Sequence, residues 1–573
     1  MLPPRLRPWL TPPRALPLAL IAVALLGIPW FALGLTADDV TMAGLHGTPD
    51  WHPLALFEFD LWMDDRPRMM RAGVLPWWTD PGFAVRFLRP IASATHALDF
   101  ALWPDQPWLM HAQSLAWYAA LVAIVSTLYR RWIPTPWVAG LATLMFALDE
   151  THGQSFGWIS ARNGVVGAVF GALALVAHDR WRRDGWRAGA ALGPALLLLG
   201  LLSAEATVCF AGYLGAYALT LERGSWPTRI ATVLPHAAVV IAWRVAYVQL
   251  GYGALGSGLY VDISGAPLAF LARSVQTTLL LGLSQLTLPL AEVIVVLEGG
   301  LLGLAAALGA LALAGVAWAT RGLLRESAAA RFFGLGLLLA GMPFGATLPS
   351  DRLLLSLGIG GFGLIACGIE AIADGRLTGR GVRLLGGAAL AVHLGLAAVM
   401  LPARSATMGV LDDLNRSTAH AMAVGPERHA VLLNAPLDLF ILYLPFQQER
   451  EGWPLPASAA LLYTGPDALT LTRVDADTLS LRAEGGWAAG SLYRFFWGKD
   501  HRMQPGDTVA LDSGTVEVTE VSADGRPVAV AFHTLAPLDE APVTWLSWQG
   551  DGPAPVALPK EGETVTLPAV SLF

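Results

Sequence analysis

A chain of 573 residues that is 54% hydrophobic and only 14% charged, with mean hydropathy +0.52, is too apolar for a water-soluble protein, since soluble domains carry about a quarter charged residues. The formal charge of −7 argues against a nucleic-acid partner. That charge is unevenly placed: from Arg404 onward the chain carries roughly 11 basic and 21 acidic residues, while the part before it is slightly positive. The break predicts a membrane domain over residues 1–402 and a water-soluble domain over 403–573. Lysine occurs only at Lys499 and Lys560, which reads as coding bias. Cys209 and Cys367 lie inside apolar runs, far from any metal-ligand spacing, and read as buried structural thiols.

The chain opens with Arg5, Arg7 and Arg14 and then runs apolar from Ala15 to Leu35, long enough to cross a bilayer. The run exceeds a signal-peptide core, and the ADDV after it is a poor cleavage site, so it reads as a retained anchor. Positive charge before it keeps the amino terminus in the cytoplasm, so Asp38 and Asp39 emerge on the far face. Carboxylates at the rim of a membrane helix are costly unless they have a task. A polar external loop follows over 36–107.

The second span, Leu109 to Tyr129, ends in the cytoplasmic YRRW, and the third, Pro136 to Leu148, in the external DETHG. The fourth, Val165 to Ala177, meets the basic HDRWRRDGWR. Two short spans around Ser203 to Ala206 form a hairpin, and a seventh runs from Ile230 to Leu250. Segment 267–298 is expected not to cross, because one extra crossing would place the basic TRGLLRESAAAR outside. Spans from Gly300 to Ala319, through ATLPSDR, back to DGRLTGRGVR and from Leu384 to Leu401 complete eleven. The expected protein is a polytopic inner-membrane protein, amino terminus in and carboxyl-terminal domain out. That domain reads as β-rich: ALTLTRVDADTLSLRAE, TVALDSGTVEVTEV and RPVAVAFH alternate apolar and polar residues around turns, which predicts a small antiparallel barrel or sandwich. Its histidines, His420, His429, His501 and His533, are scattered.

By this topology the unusual polar residues gather on the external side: Asp38, Asp39, Asp80, Arg86, Arg89, His96 and His111, then Asp149, Glu150, His152, Trp158, Arg162 and Asn163, then Glu205, Arg244, Asp351 and Arg352. Arginines and carboxylates at one depth suggest a site for an anionic lipid head and a reacting hydroxyl. Each rim charge taken singly is more often a helix anchor. Asp64 and Asp65 beside Arg66 and Arg68 read as a solvated cluster, and Trp77 and Trp78 as interfacial belt residues or substrate contacts.

Four segments carry a family resemblance. The acidic pair Asp38/Asp39, the Leu88-Arg89-Pro90 element, and His111 with Gln113 at the next helix start resemble the first loop and second span of GT-C superfamily glycosyltransferases. ETHGQSFGWISARNGVVGAVF resembles a stretch of protein O-mannosyltransferase-like and tetratricopeptide-linked members. LLSAEATVCF is similar to their SKE element, with Ala204 in place of Lys and Glu205 retained. LPSDRLLLSLGIG is similar to their E-R-Y-L-Y-L-P-S-x-G element, with Asp351 in place of Glu and Arg352 kept. The likeness covers residues 15 to 400; the tail shows no 34-residue helical repeat.

The resemblance implies transfer of a sugar from a polyprenyl-phosphate donor to an acceptor hydroxyl of a glycan, lipid or protein, outside the membrane and with inversion. It implies Asp39 or Asp38 as base, Arg352, Arg89, Arg244 and Arg162 toward the lipid phosphate, and Glu205, His111 and Glu150 toward substrate. No cofactor is required by it, although the aspartate pair could hold a divalent metal as in some members. Two other classes fit the composition: a transporter or flippase for a lipid-linked sugar, and a non-catalytic scaffold presenting the tail.

Overall fold

A computed structural model describes residues 3–46, 48, 51–59, 65–288, 291–294 and 297–570. Asp64, one member of the expected charge cluster, lies outside the described residues. Among the described residues, eight helices are long and apolar enough to cross a membrane: Pro12–Ala32, Pro107–Trp132, Ile159–Asp184, Trp226–Gln249, Gly299–Ala319, Ala328–Ala346, Asp351–Ala373 and Arg380–Ala421. Proline opens several helices, among them those starting at Pro12, Pro90, Pro107, Pro136 and Pro267, where its missing N–H has no intrahelical partner to lose.

The other three expected spans are helical but short. Pro136–Leu148 and Gly189–Leu201 have 13 residues each and Cys209–Thr220 has 12. At 1.5 Å per residue they fall well short of the roughly 30 Å of a hydrocarbon core. Pro136–Leu148 and Cys209–Thr220 are largely interior, with Leu141, Met145, Phe146 and Phe210 fully buried, whereas Gly189–Leu201 buries Leu197 but leaves Leu192 and Leu198 exposed on an outer apolar face. Both cysteines are buried and free, as expected.

Segment 267–298 leaves and returns at one end of the bundle. Before its helix, Pro267–Leu286, the N–H of Val261 donates to Ala346 O at 2.9 Å. After it, Glu292 pairs with Arg404 at 2.9 Å and the Glu298 carboxylate accepts from Ser491 N in the C-terminal domain.

The long Arg380–Ala421 helix continues past residue 403, and a π-helical turn, Ala391–Leu396, interrupts it. Beyond it the chain builds two sheets. With β1 (Ala84–Arg86) and β2 (Gly253–Leu255) pairing earlier in the chain, the C-terminal strands are β3 (His429–Leu432), β4 (Ser458–Leu461), β5 (Leu469–Arg473), β6 (Thr478–Arg482), β7 (Thr508–Leu511), β8 (Gly514–Val521), β9 (Pro527–Thr534), β10 (Val543–Gln549), β11 (Gly552–Pro555) and β12 (Thr564–Leu567). The antiparallel hairpins β5–β6 and β7–β8, with β9 against both, follow the alternation read in the sequence.

The four-stranded sheet departs from the antiparallel expectation. Its order is β11-β10-β3-β4, and β10–β3 and β3–β4 run parallel. The helix Leu439–Glu451 crosses over between β3 and β4, the connection that a parallel pair requires.

The first loop does not stand apart from this domain. Leu75, Trp77, Trp78, Phe83 and Val85 share one hydrophobic core with Val431, Leu461, Trp487 and Phe532. The indole N–H groups of Trp77 and Trp487 both donate to Leu462 O, at 3.1 and 2.8 Å. The tryptophan pair, read as interfacial belt residues or substrate contacts, is instead interior, with Trp77 2% and Trp78 0% exposed. Gly73, at φ +76°, ends the short Arg66–Ala72 helix, and a Cβ there would lie 1.5 Å from Ala459 O. Only glycine lets the loop reach β4 so closely. Strand β1 pairs with β2, so the Gly-rich stretch near residue 255 is tied to the same body.

Candidate active site

The acidic pair opens the helix Asp38–Leu45, placing both carboxylates in its first turn, where the helix dipole favours negative charge. Ala37 just before it has φ +52° and ψ −120°. A non-glycine residue in that region costs about 1–3 kcal/mol and is characteristic of functional sites.

The two aspartates have different surroundings. Asp39 is buried, and its oxygens accept from the backbone N–H of Thr36 (3.2 Å) and Ser160 (2.7 Å). It ties the end of the first span to the turn before the Arg162–Asp184 helix. Burial pushes its carboxyl up to about 7. Asp38 sits deep in the protein but keeps part of its surface open. Its Oδ1 accepts from the Tyr443 hydroxyl at 2.9 Å. Burial raises its carboxyl, and Tyr443, Arg352 and Arg89 act against that rise in decreasing order.

Arg89 is held firmly. Two of its guanidinium nitrogens reach Glu205 Oε2 at 2.8 and 2.7 Å, and its face lies 4.2 Å from the Phe87 ring and 5.0 Å from Phe57. Glu205 also accepts from Tyr247 at 3.4 Å. Arg352 is exposed and lies 5.2 Å over the Trp158 ring; no carboxylate pairs with it among the described residues. The Tyr260 phenol is raised by burial, lowered by Arg352 and Arg89, and raised again by Asp38 and Glu205. These five side chains therefore share one electrostatic neighbourhood.

Of the residues expected at the site, Asp38, Arg89, Glu205 and Arg352 come together, with Asp39 behind them. Arg244 stands at the edge, 5.7 Å over Tyr247, with its Nη2 on both oxygens of Asp262 at 2.6 and 2.8 Å. Glu150 belongs to a neighbouring cluster in which Arg404 holds Glu150 (2.6 Å), Asp351 (2.6 Å) and Glu292 (2.9 Å).

Arg162 is not brought to the site. It is 0% exposed and spent on Asp99 (2.5 Å), Ser114 Oγ (2.8 Å), Met110 O (2.9 Å), and Gln113. It braces three helices from inside and has no free face for a phosphate. His111 is likewise buried, with its ring against the backbone at Leu33, Gly34 and Gly157. It packs under the strand of chain that leads to Asp38.

Sequence reasoning did not single out Tyr443, Tyr260 or Arg404. Tyr443 lies in the apolar LFILYLPF, where nothing marks one tyrosine above its neighbours. Arg404 follows the last apolar run and meets the same rim-charge criterion that selected the others.

A metal bound by the aspartate pair does not fit these contacts. Both Asp39 oxygens face N–H donors, and one Asp38 oxygen faces a hydroxyl. Among the described residues no three His, Cys, Asp or Glu side chains converge at ligand spacing.

No protein-family model matches the chain, and no curated protein matches it. Among solved structures it is similar to the oligosaccharyltransferase of Archaeoglobus fulgidus tethered to an acceptor peptide containing the NVT sequon. The identity is 13% and the TM-score 0.39, over 77% of this chain and 63% of that one. The chain is a multi-pass helical membrane protein whose candidate site lies where the first loop, the 351–353 turn and the C-terminal domain meet.

Proposed function

We propose that this protein is a GT-C-type glycosyltransferase that moves a sugar from a polyprenyl-phosphate donor to an acceptor hydroxyl on the extracytoplasmic side of the membrane. The observation that carries the reading is the juxtaposition of a partly open carboxylate, Asp38, with Arg352, an exposed arginine that forms no ion pair with a carboxylate among the described residues. An arginine left unpaired near the rim is suited to a ligand phosphate, which takes its planar donors in bidentate fashion.

The chemistry follows from those positions. The acceptor oxygen attacks the anomeric carbon while its proton passes to Asp38. The C1–O bond to the lipid phosphate breaks with its electron pair going to the phosphate oxygen. Arg352, with Arg89 beside it, offsets the charge that grows there. Attack and departure on opposite faces invert the anomeric centre. Asp38 suits the base role better than Asp39, whose oxygens are occupied by backbone donors. Glu205 serves by fixing Arg89.

The test is to incubate purified protein with a labelled polyprenyl-phosphate sugar and candidate acceptors. Turnover that is lost in Asp38→Asn and in Arg352→Ala supports the reading. Full activity in Asp38→Asn removes the base assignment. Translocation of the labelled lipid in vesicles without transfer favours a flippase.

A further inference from the structure

The C-terminal domain reaches the site through one side chain. The helix Leu439–Glu451 belongs to the crossover between β3 and β4, yet it packs on the Asp38–Leu45 helix. At the contact a Cβ on Gly44 would lie 2.4 Å from Phe446 Cδ1, so the helices meet at glycine distance. On its other side Gln448 Nε2 donates to Ala419 O at 2.9 Å, fixing the crossover helix to the long Arg380–Ala421 helix. Tyr443, one turn before Phe446 on this helix, is buried, with its hydroxyl directed onto Asp38 Oδ1. A buried phenol needs a partner, and among the described residues Asp38 is the one it has.

We propose that Tyr443 is a positioning residue for Asp38, delivered by the C-terminal domain, so that the site is complete only when that domain is seated on the first loop. The proposal rests on the reading of Asp38 as the site carboxylate. Occupying Oδ1 from the side of the C-terminal domain leaves Oδ2 as the oxygen open to an acceptor proton, and it fixes the plane of the carboxylate. A hydroxyl that donates to a carboxylate favours its ionised form, which is the form a base requires. Among the described residues, the other charged or titratable groups facing this pair are Arg352, Arg89 and Tyr260 on Asp38, Asp39 beside it, and Asp438 on the crossover helix's own amino-terminal side.

The test uses full-length protein in lipid nanodiscs and does not depend on a substrate. Dicyclohexylcarbodiimide modifies protonated carboxyls in apolar surroundings. The fraction of Asp38 modified, read by peptide mass spectrometry against pH, therefore reports where Asp38 ionises. Tyr443→Phe is expected to move the midpoint up by about one pH unit, the size of one hydrogen bond to a charged group. 3-Fluorotyrosine placed at position 443, a stronger donor of the same shape, is expected to move it down. A midpoint identical with tyrosine, phenylalanine and 3-fluorotyrosine overturns the proposal, whatever happens to thermal stability. Should Tyr443→Phe not fold, the fluorinated protein alone decides between a downward shift and none. If the wild-type protein transfers no sugar from any polyprenyl-phosphate donor, the glycosyltransferase reading falls, and the three midpoints still decide the role of Tyr443.

Discussion

Replacing Asp38 and Asp39 one at a time by asparagine separates a chemical role from a structural one. The Asp39 oxygens accept two buried backbone N–H groups, from Thr36 at 3.2 Å and Ser160 at 2.7 Å. Asparagine can accept one of them and turns an amide N–H₂ toward the other. One buried donor is left unpaired, at about 1–3 kcal/mol. Asp39→Ala leaves both unpaired, at roughly twice that cost. Part of the loss is returned, because cutting the tie lets Ala37 relax from its positive φ, which holds about 1–3 kcal/mol.

At Asp38 the one protein donor among the described residues is the Tyr443 hydroxyl, and an asparagine oxygen can still accept it. Asp38→Asn is therefore expected to change stability by less than about 1 kcal/mol while abolishing sugar transfer. Thermal unfolding of detergent-purified protein, followed by loss of the monodisperse chromatographic peak, gives the comparison. The expected order of midpoints is wild type near Asp38→Asn, then Asp39→Asn, then Asp39→Ala. A normal midpoint for Asp39→Ala together with a large fall for Asp38→Asn refutes the division of roles.

Three further outcomes follow from other contacts. Arg162→Leu strands Asp99 as an unpaired buried charge and is expected to cost about 3–5 kcal/mol, read as lost folded yield, with Asp99 and Arg162 replaced together recovering part of it. Arg352→Ala loses only an aromatic contact worth about 0.5–1 kcal/mol, so its unfolding midpoint stays near wild type. Its turnover is expected to drop by about 10²–10³-fold.

Asp438 gives a pH dependence with a defined sign. Burial pushes its carboxyl from 3.8 up to about 7, against the smaller opposing pull of the backbone N–H groups of Asp438 and Leu439. The folded state thus binds the proton more tightly than the unfolded chain. The stability this contributes is fully present below about pH 4 and is lost as pH rises through about 7, with an upper bound of about 4 kcal/mol. Asp438→Asn is expected to flatten that fall, unfolding at a higher temperature than wild type at pH 8, with the gap narrowing at pH 5 and closing toward pH 4. Parallel pH profiles for the two proteins count against it.

Much of the architecture was legible because hydropathy, charge and alternation are local signals. Eight spans, the rim position of Asp38 and Asp39, and the hairpins β5–β6 and β7–β8 follow from residues close in the chain. Apolar composition could not tell a 13-residue interior helix from a membrane span, because both face hydrocarbon. Alternation could not reveal that β3 and β4 run parallel, since the side-chain period is two in either direction. Charge at the rim could not distinguish Arg162, consumed by Asp99, from Arg352, which pairs with no carboxylate among the described residues.

By itself, then, the sequence determined a polytopic helical membrane protein with a β-rich tail and a pair of carboxylates at the end of its first span. Only the tertiary structure decided which carboxylate is tied down and which is open, and that the first loop shares a core with the tail. The reason is the range of the interactions. The Ser160 donor lies 121 residues from Asp39, and the Tyr443 hydroxyl 405 residues from Asp38. No periodicity in a window of residues encodes such a pairing; it exists only once the helices have packed.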